Sequence, residues 1–528
     1  MYVLGLEGTA HTISASILDE NRIYSLVSKT YRPKEGGINP RDAAEFHFSN
    51  IVQVIDQAIS DANMVPEKIN LISFSRGPGL PPSLKIVATA ARALSIKYNI
   101  PIVGVNHPLG HIEIGRRETG CNDPVMLYVS GGNTQIIAYK NGHYRVFGET
   151  LDVGVGNLLD KIAREMGFPF PGGPEIEAMA LGGEKLLDLP YTVKGMDTAF
   201  SGLYTAAMQL LKKGERKEDI CMSIQEYAFS MLVETLERAI FTTGKKSILL
   251  AGGVARNRRL REMIQIMADE AGVDVFETPD KYCMDNGAMI GQAGLLTYKA
   301  RGADRLENTV IDQFYRIDQA YASWVSEDQT VYKDRGAESI IRRKKFHEFD
   351  AIEKERIPKG YRNVQMDFRI RRMRMKREIT MLHRMGKAGI NVPAIFSVDL
   401  DRNAFMMEDT GGVNLGSVQN IASTIGTELG RIIGKMHAGN MCHGDLTMNN
   451  ILIKGNSIFL IDPSMGSVTD RIQDFAYDIR LLNESAVATI PDGNTFMHEV
   501  IKGYMEIFNR SGEVMAEVDR IEKRRRYA

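Results

Sequence analysis

Residues 2–30 and 125–152 carry one pattern twice: strand, small-polar turn, strand, turn, strand. The first copy runs Tyr2-Val-Leu-Gly-Leu-Glu-Gly-Thr-Ala, Ile13-Ser-Ala-Ser-Ile-Leu, a turn at Asp19-Glu-Asn, then Ile23-Tyr-Ser-Leu-Val. The second runs Val125-Met-Leu-Tyr-Val-Ser-Gly-Gly-Asn-Thr, Gln135-Ile-Ile-Ala-Tyr, a turn at Asn141-Gly142, then Tyr144-Arg-Val-Phe. Asn-Gly favours a two-residue hairpin because both of its central positions need positive φ. Helical segments and buried strands such as Leu71-Ile-Ser-Phe-Ser and Ser247-Ile-Leu-Leu-Ala follow each copy. Hairpin-led units repeated with crossover helices predict a duplicated α/β fold with two like lobes and a ligand cleft.

Three glycine-rich segments fall on this framework. Ser130-Gly-Gly-Asn-Thr134 follows a strand and tops a hairpin, Pro171-Gly-Gly-Pro174 precedes the acidic helix start Glu175-Ile-Glu177, and Ala251-Gly-Gly-Val-Ala255 opens a helix with Asn257. Glycine lets backbone N–H groups approach phosphate oxygens, and a helix N-terminus adds a favourable dipole. Together they predict a nucleotide cleft of the kind seen in actin-like (ASKHA) and sugar-kinase-like ATPase folds. His107 and His111, in Asn106-His-Pro-Leu-Gly-His111, stand at i and i+4, one face of a helix, where they can share a metal or remain ordinary core or surface histidines. A zinc peptidase needs Glu directly after the first histidine; Pro108 occupies that place and argues against peptide hydrolysis.

With these segments in hand, the N-terminal part resembles the universal tRNA threonylcarbamoyladenosine transferase of the KEOPS complex, over roughly residues 1–325. The resemblance is carried by Gly5-Leu-Glu-Gly-Thr-Ala, Gly77-Pro-Gly79 with Ser83-Leu84, Gly104-Val-Asn-His with His111, Leu127-Tyr-Val-Ser-Gly-Gly-Asn-Thr-Gln135, Gly195-Met-Asp with Phe200-Ser-Gly202, and Asp285-Asn-Gly-Ala-Met289. It implies transfer of threonylcarbamoyl from threonylcarbamoyl-AMP to N6 of adenosine 37 in tRNAs reading ANN codons. It also implies one Fe2+ on His107, His111, Tyr128 and Asp285, a donor set suited to iron. The adenylate is expected against Tyr128, Val129, Ser130, Gly131, Gly132, Asp160, Gly173, Glu177 and Asn257. Arg256 and Arg258 depart from the small or polar neighbours usual around that asparagine.

A second constellation lies far downstream. His443-Gly-Asp-Leu-Thr-Met-Asn-Asn450 is followed by Asp462 after the apolar run Ile458-Phe-Leu-Ile461, the spacing of a kinase catalytic loop and metal-binding aspartate. Asp445 is expected to take or orient the acceptor hydroxyl proton, while Asn450 and Asp462 hold Mg2+. Lys354 is the expected phosphate-binding lysine and Glu378, in a basic helix predicted over 367–388, its ion-pair partner. Residues 334–528 resemble the small atypical Rio-like serine/threonine kinase of the same complex, through Gly336-Ala-Glu-Ser339 in place of a long glycine loop, Lys354 to Arg362, and His-Gly-Asp-Leu-Thr. That resemblance places ATP against Gly336, Ala337, Glu338, Ser339, Lys354 and Glu378. Asp462-Pro463-Ser464 stands where Asp-Phe-Gly is usual, so loop-flipping regulation is not expected.

The expected organisation is an actin-like transferase over 1–325, a linker over 326–333 and an α+β bilobal kinase over 334–528. Four dispersed cysteines without a Cys-x-x-Cys pair argue against a disulfide scaffold or zinc ribbon and fit a reducing compartment. The sequence opens on strand-like Met1-Tyr-Val-Leu-Gly-Leu, and no apolar run nears the roughly 18 residues of a membrane span, so a cytoplasmic protein is expected. Partners implied by the resemblance are the tRNA anticodon loop and other KEOPS subunits, a small dimerising subunit and a kinase-binding regulator. Two rival readings are an actin-like small-molecule kinase fused to a signalling kinase, and a non-catalytic tRNA-binding scaffold. The net charge of −1 hides basic excess from Arg342 to Arg377 and at Lys523-Arg-Arg-Arg526, which points to a polyanionic partner. Deleting Lys523 to Ala528 is predicted to weaken tRNA binding and flatten its salt dependence by up to roughly four units of slope. An affinity series across salt concentrations checks this, with superimposable plots for intact and truncated chains ruling it out.

Overall fold

The computed structural model describes residues 1–32, 39–327, 338–418, 421–490 and 492–525. Gly336 and Ala337 lie outside the described residues, as do the side chains of Lys523 to Arg526. Two compact units form. The first gathers Met1–Leu189, Phe200–Gln225 and Thr242–Thr330; the second gathers Pro190–Ala199, Glu226–Phe241 and Val331–Ala528.

The first unit holds two five-stranded sheets of the same topology. One runs in the order Ile23–Thr30, Thr12–Leu18, Val3–Glu7, Leu71–Gly77, Ile102–Asn106. Its counterpart runs His143–Glu149, Thr134–Lys140, Val125–Val129, Ser247–Ala251, Asp274–Glu277. Each is an antiparallel three-strand meander extended by two parallel strands, so the duplicated actin-like plan read from the repeat is the one observed. Asn141 and Gly142 join their hairpin with φ of 52° and 81°, the double positive φ that the pair was expected to supply.

All five residues of Val3–Glu7 and of Val125–Val129 are buried, because helices cover both faces of the parallel part. Leu4, Leu6, Ile13 and Ile17 pack toward Val54, Ala58 and Val87, whereas Val3, Leu18 and Val105 share a core with Ile112, Met126, Leu249 and Ile290. Val325 belongs to that second core, as does Ile317. The helix Gly287–Arg301 lies on Val3–Glu7 backbone to backbone. A Cβ on Gly5 would stand 2.1 Å from the Gly287 carbonyl, so no side chain fits there.

The second unit opens on an antiparallel sheet in the order Ser339–Phe346, Phe349–Arg356, Ala404–Glu408, Ile395–Asp399. The basic helix spans Val364–Lys387, three residues earlier than expected, because Asn363 caps it by accepting from the Gln365 and Met366 amides. Helices Ser423–Ala438, Ile472–Thr489, Gly493–Ile507 and Ser511–Arg525 follow, with small sheets of Val413–Asn414, Ile451–Lys454 and Ser457–Leu460 and of Met441–Cys442 and Ser467–Val468 among them. This is the expected α+β bilobal kinase-like arrangement.

The basic excess between Arg342 and Arg377 has in part an internal explanation. Lys354, Arg356, Lys359, Arg362 and Arg374 are buried, each against a carboxylate. Arg362 Nη2 and Arg374 Nη2 both reach Glu234 at 2.7 Å, and Lys359 Nζ reaches Glu237 at 2.6 Å. Three of these cations, Lys359, Arg362 and Arg374, neutralise acids brought in by Glu226–Phe241, while Arg342 to Lys345, Arg369, Lys376 and Arg377 stay exposed. The hairpin from Val193 to Thr198 acts likewise: Asp197 pairs with buried Arg480, and Lys194 Nζ lies 2.8 Å from Asp474. Glu234→Ala strips a shared carboxylate from several buried guanidinium groups. It is predicted to destabilise the second unit by about 3–5 kcal/mol, the cost of breaking a buried pair from one side, read from urea unfolding of the full chain.

Candidate active sites

In the first unit the strand Ile102–Asn106 ends where the helix His107–Thr119 begins, and Asn106 caps that helix by accepting from the Leu109 amide. Pro108 sits in the first turn, where its missing N–H costs nothing. The helix turns His107 and His111 toward Tyr128, from the end of Val125–Val129, and toward Asp285, just before the Asn286 cap of Gly287–Arg301. Asp285 Oδ1 lies 3.4 Å from His107 Nε2 and 3.2 Å from His111 Nε2, and the Tyr128 hydroxyl lies 3.3 Å from His107 Nε2. Ligand atoms of His107, His111 and Asp285 all fall within 4.8 Å of one another, a cluster able to hold a cation. Two imidazole nitrogens, a carboxylate and a phenol oxygen thus converge on one point.

Glu7 and Thr9 complete this arrangement, and neither was assigned a role from sequence. Glu7 Oε2 lies 3.2 Å from His107 Nδ1, and the Thr9 hydroxyl donates to Glu7 Oε1 at 2.6 Å. A carboxylate on the far nitrogen orients an imidazole and raises its basicity as a ligand. Burial works against charge on His107, but Glu7, Tyr128 and Asp285 outweigh it and hold its pKa well above the ordinary value. Burial lowers the pKa of His111. Burial also works against charge on Asp285, yet the two imidazoles hold its carboxyl well below the usual range. The only sequence signal for Glu7 was its place in Gly5-Leu-Glu-Gly-Thr-Ala.

The three glycine segments converge beside these donors. Val125–Val129 and Ser247–Ala251 are parallel, with Tyr128 opposite Ala251, so their following turns emerge on one sheet edge. Strand ends of this kind are where open α/β sheets bind ligands. Gly252 has φ of 93°, and a Cβ there would meet the Val129 carbonyl at 2.2 Å. The Asn157 amide donates to the Gly131 carbonyl at 2.8 Å, tying Ser130–Gly132 to the helix Val155–Glu165 that carries Asp160. Asp160 Oδ1 in turn accepts from the Gly172 amide at 2.7 Å, while Glu177 Oε1 accepts from the Arg258 amide at 2.9 Å. Asn257 caps the helix Arg258–Ala271 and donates to Gln225 at 2.8 Å; Gln225 had no distinguishing sequence context. Ideal Cβ atoms on Gly132, Gly173 and Gly253 would meet nothing within 4 Å. Their backbones therefore face room for a ligand.

The second unit assembles its own site. Lys354 Nζ lies 2.7 Å from Glu378 Oε1 and 2.8 Å from Asp462 Oδ2. Burial works against charge on Lys354, but Asp462 and Glu378 raise its pKa above the ordinary lysine value. The Asn450 amide donates to the Asp445 carbonyl at 2.8 Å. Asp478, not singled out from sequence, accepts from the His443 and Gly444 amides at 2.6 and 2.8 Å and thereby holds the turn before Asp445. Glu338 binds Arg356 and Arg374 at 2.6 and 2.5 Å, and Ser339 starts the adjoining strand. Asp462 has φ of 57°, the strained left-handed turn that aims its carboxylate at Lys354. The chain thus presents an actin-like unit with a cation-ready donor cluster and a kinase-like unit with a lysine–glutamate–aspartate constellation.

Residues 22–292 match the family described as TsaD, tRNA N6-adenosine threonylcarbamoyltransferase, and residues 331–473 match the RIO domain. Over 529 residues the chain is 52% identical to a probable bifunctional tRNA threonylcarbamoyladenosine biosynthesis protein of Thermoplasma acidophilum, with all of both chains covered. Proteins of the same description from Thermoplasma volcanium and Methanothermobacter thermautotrophicus are 51% and 45% identical, again over the whole of each chain. The chain belongs to this family of TsaD transferases joined to a RIO kinase domain. Replacing Glu7 with Gln is predicted to lower the affinity of the histidine cluster for a divalent ion by roughly 10- to 100-fold, measured by calorimetric titration, as loss of an outer carboxylate does elsewhere.

Proposed function

We propose that the chain is bifunctional, with the N-terminal part modifying tRNA and the C-terminal part using ATP. The observation that carries this reading is the meeting of His107, His111, Tyr128 and Asp285 beside three glycine turns whose backbones face open space. In the first reaction the N6 amine of adenosine 37 in ANN-decoding tRNAs attacks the carbamoyl carbonyl of threonylcarbamoyl-AMP. A C–N bond forms, the bond from the carbonyl carbon to the phosphate oxygen breaks, the amine releases one proton, and AMP leaves with the electron pair. The turns at Tyr128 to Gly132, Gly173 and Asn257, with Asp160 and Glu177 bracing them, would hold the adenylate. Two imidazoles, a phenolate and a carboxylate suit Fe2+, which when bound supplies a Lewis acid that also orients the adenylate. Glu7 and Thr9 fix the His107 ring so that Nε2 faces the cluster.

In the second unit ATP would lie against Glu338, Ser339, Lys354 and Glu378, with Mg2+ on Asn450 and Asp462 and Asp445 as proton acceptor. Its product is ADP with either a phosphorylated serine or threonine or free phosphate, and its role is regulation of the complex. The protein is taken to work in the cytoplasm with the other KEOPS subunits; no helix of the described residues is long and apolar enough to cross a membrane. A small-molecule kinase of actin-like fold would leave the imidazole pair without a use.

The test is incubation with tRNA, threonylcarbamoyl-AMP and partner subunits, followed by digestion to nucleosides, with ADP release assayed in parallel. His107→Ala and His111→Ala are predicted to lower bound iron and tRNA modification together while ADP release persists. Asp445→Ala is predicted to remove ADP release with iron content unchanged. Wild-type iron and modification in both histidine variants would refute the metal assignment.

A further inference from the structure

Arg238 lies on the helix Lys217–Thr243, in the part of it that packs within the second unit. All of its nitrogens are engaged. Nε lies 3.2 Å from Glu234 Oε1, Nη1 donates to Asp445 Oδ2 at 3.1 Å, and Nη2 pairs with Glu338. It reaches Asp445 across 207 residues of sequence, and its side chain is 11% exposed. We infer that Arg238 is a positioning residue of the ATP-dependent site, fixing the Asp445 carboxylate for proton acceptance. This rests on the phosphotransfer reading of Asp445 above.

Asp445 Oδ2 receives Arg238 Nη1 and, at 3.4 Å, the Asn450 side-chain amide, while Asn450 also binds the Asp445 carbonyl at 2.8 Å. With one carboxylate oxygen held from two sides, Oδ1 is the oxygen left for an incoming hydroxyl. As the acceptor oxygen bonds to the γ-phosphorus, the bond from phosphorus to the ADP oxygen breaks, its electron pair leaves with ADP, and the acceptor proton passes to Oδ1. Arg238 is itself held: Glu234 also binds Arg362 and Arg374, and Glu338 also binds Arg356 and Arg374. A structural pair needed only Glu234. The further reach to both Asp445 and Glu338 ties the proton acceptor to the start of the strand pair that carries Lys354. A planar guanidinium, charged at every working pH, spreads five N–H donors in a fixed fork across three separate carboxylates, a wider span than the compact lysine ammonium.

The experiment uses the full chain with ATP and Mg2+, measuring kcat and KM from ADP release for wild type, Arg238→Ala, Arg238→Lys and Asp445→Asn. Arg238→Ala should lower kcat roughly 10- to 100-fold, less than removal of a general base itself, with KM for ATP changed by no more than about twofold. Arg238→Lys should recover part of the rate, and guanidinium ion added to Arg238→Ala should do the same. These rescues decide the matter should Arg238→Ala loosen the second unit. A wild-type or raised kcat in Arg238→Ala, or a loss that neither rescue repairs, overturns the inference. Undiminished turnover in Asp445→Asn instead sinks the phosphotransfer reading and, with it, any role for Arg238 there.

Discussion

The contact between two glycines sets the geometry of the first site. Gly5 on a central strand and Gly287 at the start of the helix Gly287–Arg301 meet through bare backbone, each excluding a Cβ on the other. A helix this close to the sheet carries Asp285, just before its Asn286 cap, to within 3.4 Å of both imidazoles. One methyl group at either glycine must push the helix outward and draw the carboxylate off the cluster. Distances between ligands are thereby governed by how closely two stretches of backbone pack.

The second site depends on charge where the first depends on close packing. Buried guanidinium and carboxylate groups at Glu234, Glu338, Arg356, Arg362 and Arg374 cannot be left unpaired at tolerable cost, so their partners are compulsory. Such a network is a poor source of net stability but a strict selector of one arrangement. Geometry at Asp445 inherits that strictness through Arg238, as it does through Asp478 on the opposite side of the loop.

What could be read from sequence was whatever is local. The paired hairpins, the Asn141-Gly142 turn and the i, i+4 histidines declare themselves over a few residues, because turn chemistry and helical spacing act over that range. Asp285 and Tyr128 came through resemblance alone, and their distances to the imidazoles are a product of chain crossovers. Glu7, Gln225, Asp478 and Arg238 carried no local mark; each acquires its place only when strands or helices distant in sequence are brought side by side. Composition did not separate two uses of charge. Within the run of arginine and lysine from 342 to 377, Lys359, Arg362 and Arg374 are drawn inside by counter-charges more than a hundred positions earlier, while Arg342 to Lys345 stay exposed.

That borrowing has a bearing on synthesis. Glu234, Glu237 and Arg238 leave the ribosome well before Arg356, Lys359, Arg362 and Arg374 exist, and Asp197 emerges earlier still than Arg480. Until those partners are translated, Arg238 is the one cation of this network already beside Glu234 on its helix. Domains generally mature in order of emergence, the first while the rest is still being made. Here the leading portion can close its two sheets early but must keep one helix segment and one hairpin in reserve. The second unit is therefore completed only when its last segment, from Val331 onward, has been made.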